Sequence, residues 1–60
     1  MKLSNCSDKL AAHICTLTVK EGIEFLERNG CQPDNDGVWN WGDYDFFQCY
    51  PDSTTLYFEA

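Results

Sequence analysis

Val38-Trp39-Asn40-Trp41-Gly42-Asp43-Tyr44-Asp45-Phe46-Phe47 decides how this chain folds. Two aromatic runs flank Gly42-Asp43, and a glycine in the first of two loop positions suits a tight β-hairpin turn. The pattern predicts one strand over 38–41 and a second over 44–50. With Gly42-Asp43 as the turn, Trp41 faces Tyr44 and Trp39 faces Phe46. Those four then share one face of the sheet. Val38, Phe47 and Cys49 fall on the other face, with Leu56 and Phe58 expected beside them. Some of Trp39, Trp41, Tyr44, Phe46, Tyr50 and Tyr57 should stay exposed, because two short helices can cover only one face.

On the C-terminal side, Pro51-Asp52-Ser53-Thr54 reads as a turn and 55–59 as a third strand. On the N-terminal side, Pro33-Asp34-Asn35-Asp36-Gly37 is a cluster of turn formers. Before it, 19–29 predicts a helix. Thr18 and Glu21 have capping-box spacing, Val19, Ile23 and Leu26 form a buried stripe, and Asn29-Gly30 is a stop signal. Phe25 lies off that stripe and either widens the core or marks a contact. A first helix is expected over 5–16, capped by Ser4 or Asn5. Asp8 sits in its first turn, and Leu10, Ile14 and Leu17 lie on its apolar side. The expected fold is α+β: two N-terminal helices on one face of a three-stranded antiparallel meander, ααβββ. The chain reads as a single domain over 1–60, with a helical half (1–30) and an acidic, aromatic β half (31–60).

Sixty residues bury only about 60% of the surface their unfolded chain exposes, which leaves little room for a deep pocket beside the core. That lowers the expectation of an enzyme. A hydrophobic content of 43% and an aromatic content of 15% nevertheless suit a folded domain. No run approaches the ~20 apolar residues of a membrane-spanning helix, and no secretory pattern opens the sequence. The expectation is a cytoplasmic protein of a bacterial host, without membrane association. Cys6, Cys15, Cys31 and Cys49 lack the close Cys-x-x-Cys pairing of structural zinc sites and read as small buried thiols rather than disulfides.

Charge is unevenly distributed. In residues 1–29, Lys2, Lys9, Lys20 and Arg28 balance Asp8, Glu21, Glu24 and Glu27. In residues 30–60, Asp34, Asp36, Asp43, Asp45, Asp52 and Glu59 stand without one Lys or Arg, and carry the whole net charge of −6. Interspersed signs would serve solubility as well. Unrelieved carboxylates repel one another and steer basic partners toward the surface that carries them. The partner-binding candidates are therefore Asp34, Asp36, Asp43, Asp45, Asp52 and Glu59, with Trp41 and Tyr44 as aromatic anchors. Direct nucleic-acid binding is disfavoured, since four cations neutralise few phosphates.

Catalytic chemistry finds little support. His13 is the single histidine, and Cys15, two positions on, points elsewhere on a helix. No phosphate loop, nucleophile elbow or paired-histidine motif is present. Asp34-Asn35-Asp36-Gly37 has part of a calcium-loop pattern. Aligned on Gly37, however, it puts Gln32 at the first ligand position and Asp43 at the last, so the turn reading is preferred. No catalytic residue, metal or cofactor is expected.

In size, acidity and element order the whole chain resembles phage-encoded inhibitors, anti-CRISPR proteins in particular. The resemblance rests on no motif. It implies a monomeric inhibitor, in which the carboxylates stand in for DNA phosphates against a basic Cascade subunit of a type I system such as I-C. The alternative is a phage regulatory or antitoxin-like module that binds through an exposed aromatic sheet face.

Overall fold

The computed structural model describes residues 6–60. Two helices precede a three-stranded antiparallel sheet: α1 (Asp8–Ile14), α2 (Val19–Arg28), β1 (Trp39–Trp41), β2 (Tyr44–Phe47) and β3 (Tyr57–Glu59), with sheet order β1-β2-β3. This is the expected ααβββ arrangement. The caps proposed for the first helix, Ser4 and Asn5, lie outside the described residues. Ser7 is the N-cap: its side chain accepts a hydrogen bond from the Leu10 amide at 3.2 Å, which places Asp8 at the first helical position. That position favours an anion, because the free amides of the first turn point at it.

α2 follows its sequence signals closely. Thr18 and Glu21 form the reciprocal capping box, and the Val19 amide donates to the Thr54 carbonyl at 3.0 Å, which ties the helix start to the loop before β3. At the other end Gly30 takes a positive φ of 83°, so that Cys31 donates back to the Leu26 carbonyl and Gly30 to that of Glu27. These two bonds are a Schellman closure. Leu26 and Cys31, brought together by it, are both buried.

Gly42, with φ 62°, opens the hairpin turn, and β1 pairs with β2 as Trp39↔Phe46, Asn40↔Asp45 and Trp41↔Tyr44. The second pairing is Asp45↔Glu59, Phe46↔Phe58 and Phe47↔Tyr57. This register corrects one expectation. Phe58 lies on the face of Trp39 and Phe46, and Leu56 joins the same core instead of the opposite face. The strands are also shorter than the sequence pattern: β2 ends at Phe47, and a turn over 50–53 interrupts the run. There the Ser53 amide donates to the Tyr50 carbonyl at 3.0 Å, and Ser53 Oγ accepts from the Tyr50 amide.

The core is one layer between helices and sheet. Ala11 and Ile14 of α1 and Leu26 of α2 meet Trp39, Trp41, Phe46 and Leu56. Each large side chain buried there contributes about 1.5–3 kcal/mol from the water it leaves. Gly22 lets α2 approach closely, since a Cβ at that position would lie 2.9 Å from Leu56 Cδ1. No helix among the described residues is long and apolar enough to cross a membrane.

Candidate functional site

The outer face of the sheet brings two carboxylates of the acidic half, Asp45 and Glu59, directly opposite one another. Side chains alternate along a strand, so burying Trp39, Trp41 and Phe46 turns Asn40, Asp45 and Phe47 outward. The register extends that face to Tyr57 and Glu59. Asn40, Asp45 and Glu59 form a row across the three strands, and Phe47↔Tyr57 is the next row of β2 and β3. Asp45 and Phe47 are half-buried, whereas Asn40, Glu59 and Tyr57 are exposed. Like charges directly opposite in an antiparallel pair are destabilising. The Asn40 Nδ2 amide donates to Asp45 Oδ1 at 2.9 Å and partly offsets this.

The hairpin tip continues the acidic surface. Asp43 is exposed in the turn. The Tyr44 hydroxyl donates to Asp8 Oδ1, joining the start of α1 to β2. That hydrogen bond, together with desolvation and the neighbouring charges of Asp8 and Asp43, holds the Tyr44 phenol up at about 12 from its ordinary 10.0. Tyr44 shares the face of Trp41 and packs on Phe58 and the core, so its contact with Asp8 lies on the helix-covered side of the sheet, separate from the outer Asn40–Asp45–Glu59 row. The 36 positions between Asp8 and Tyr44 left no local signal to connect them.

The remaining candidates separate by role. Asp34 is a turn-forming residue: Oδ1 accepts from the Asp36 amide at 2.8 Å and from the Val38 amide at 2.9 Å. Local side-chain capping of this kind explains an aspartate there without a ligand. Asp36 and Asp52 are exposed in loops, outside the paired strand positions that form the Asn40–Asp45–Glu59 row. Trp41, expected as an exposed anchor, is only 6% exposed and belongs to the core. Its alternate position on β1 turns it toward the helices. Tyr44 is half-buried and spends its hydroxyl on Asp8. The exposed large aromatics are Tyr50 and Tyr57, at 66% and 44%.

Three of the four thiols are wholly or partly shielded from water. Cys6 and Cys31 are buried, Cys15 is half-buried, all four cysteines are free, and Cys49 is exposed rather than buried. Burial pushes the thiols of Cys6, Cys15 and Cys31 above their ordinary value, which disfavours the reactive thiolate. Among the described residues no three His, Cys, Asp or Glu side chains converge as a metal site requires.

No family model, curated protein or solved structure matches the chain.

Proposed function

We propose that this chain is a non-catalytic acidic inhibitor that binds a basic nucleic-acid-binding protein surface and excludes DNA from it by charge mimicry. A type I CRISPR surveillance complex, through a basic Cascade subunit, is the partner class that the resemblance in size, charge and element order favours. The observation that carries the reading is the Asp45↔Glu59 pair on the outer sheet face. Two carboxylates held side by side cost stability in the free protein and gain it when a Lys or Arg of a partner settles between them. Arginine suits this best, because its planar fork engages carboxylates in paired hydrogen bonds. Asp43 at the adjacent turn extends the charge, and Tyr57 supplies exposed aromatic area that salt does not screen.

The test is competition. The protein should displace double-stranded DNA from such a complex, and its binding should weaken as ionic strength rises. The double reversal Asp45→Lys with Glu59→Lys should abolish binding while the circular dichroism spectrum stays that of the folded chain. Undiminished binding by that variant sinks the charge argument. The exposure of Tyr57 and Tyr50 favours a second reading, a phage regulatory or antitoxin-like module recognised through aromatic contacts. In that case Tyr57→Ala should weaken binding more than the charge reversal does.

A further inference from the structure

A groove between the end of α1 and the flank of α2 offers a second site, made from different residues. Its volume is about 290 Å³, and His13, Leu17, Glu21, Glu24, Phe25 and Arg28 line it. Small-molecule sites begin near about 300 Å³, so the groove suits one long side chain and not a large ligand. Leu17 and Phe25 are half-buried and form an apolar floor. Phe25 is held from both sides, its ring 6.1 Å from that of His13 and 6.4 Å from that of Trp41.

The charges along the groove are ordered. Glu21, Glu24, Phe25 and Arg28 recur at helical spacing and lie along one flank of α2. At a rise of 1.5 Å per residue, the two carboxylates precede Arg28 by roughly 6–10 Å along the helix axis. Among the described residues, no hydrogen bond or ion pair occupies the side chains of Glu24 and Arg28, while Glu21 also serves the Thr18 cap. An occupant complementary to this pattern carries a cation at one end, an apolar stem, and an anion at the other.

We propose that the groove binds a C-terminal lysine of a partner polypeptide. The alkyl stem lies on Leu17 and Phe25, as lysine stems do on apolar surface. The ammonium faces Glu21 and Glu24, and the terminal carboxylate meets the Arg28 guanidinium in charge-assisted hydrogen bonds. This site shares no residue with the acidic sheet face and does not depend on the function proposed for it.

The test uses the full chain, isotope-labelled for NMR, with Nα-acetyl-lysine as probe. Its amide and its norleucine analogue serve as comparators. Nα-acetyl-lysine should give saturable shifts centred on His13, Leu17, Glu24 and Arg28. The tryptophan fluorescence should change with them, because Phe25 lines the groove and packs against the Trp41 ring. Each comparator should bind about threefold or more weakly, the range of an exposed charge pair. Arg28→Gln should erase the preference for the acid over the amide, and Glu24→Gln the preference for lysine over norleucine. Asp45→Lys should leave the titration unchanged, which keeps this result separate from the sheet-face reading. The proposal is overturned if no saturable shift occurs, if the three probes bind alike, or if Asp45→Lys weakens binding as much as Glu24→Gln.

Discussion

Asp45 of β2 stands directly opposite Glu59 of β3 on the outer face of the sheet, with Asn40 of β1 donating to Asp45 from the other side. A fold selected only for stability would place a cation at one of these positions. Removing one charge should therefore stabilise the free protein. Glu59→Gln is expected to raise the unfolding free energy by about 0.2–1 kcal/mol, measured by urea denaturation. The same substitution should weaken binding to a basic partner. A loss of stability would show that the carboxylate pair is held by something other than proximity.

Asp34 and Asp36 differ by two positions and should differ sharply in behaviour. Asp34→Ala removes an acceptor that serves two backbone amides, those of Asp36 and Val38, and should cost about 1–3 kcal/mol. Asp36→Ala, at an exposed loop position, should fall within about 0.5 kcal/mol of the parent. Thermal unfolding of the two variants side by side checks this.

Trp41→Ala should cost about 3–5 kcal/mol, as truncation of a buried large aromatic does, and in a domain this small it should largely unfold the chain. Tyr57→Ala should leave the fold intact. Near-ultraviolet circular dichroism separates the two outcomes, and retained tertiary signal in Trp41→Ala would place that ring outside the core.

Tyr44 makes the protein sensitive to alkali. Its folded phenol releases its proton at about 12, and the unfolded chain near 10.0. Because the folded value is raised, the associated stability is fully present below pH 10 and is lost as pH climbs from 10 toward 12. Phenolate absorbance should follow Tyr44 titrating above its ordinary 10.0, and Asp8→Ala should bring it back toward 10.0, since the hydrogen bond from Tyr44 to Asp8 is the largest cause of the shift.

Gly22→Ala sets two effects against each other. Alanine gains about 1 kcal/mol of helix propensity over glycine. Its Cβ would come within 2.9 Å of Leu56 Cδ1, and Leu56 is buried with little room to retreat. Overpacking of this kind costs about 1–3 kcal/mol, so a small net loss is expected in chemical denaturation.

Local signals were legible where a few neighbouring residues complete them. Thr18 with Glu21, Asn29-Gly30, and Gly42-Asp43 each satisfy a backbone requirement within a handful of positions, and the structure uses all three. The start of the first helix is less sharply marked, since Ser7, which caps it, carries the same kind of side-chain acceptor as its neighbours Ser4 and Asn5 in the sequence. The sequence also supplied the six carboxylates of residues 30–60 but not their division into a turn former, a cross-strand pair and loop charges.

The amino-acid sequence by itself determined the order ααβββ, the hairpin centred on Gly42-Asp43 and the surplus of acidity in the second half, because these follow from composition, period and turn chemistry. Only the tertiary structure decided which aromatics are buried and which acids meet. The register of β3 against β2 sends Phe58 and Leu56 inward, aligns Asp45 with Glu59, and leaves Tyr57 outside. One residue of slip would reverse every one of those assignments. The contact between Tyr44 and Asp8 and the groove beside Phe25 likewise depend on how helices and sheet pack, which no spacing along the chain records.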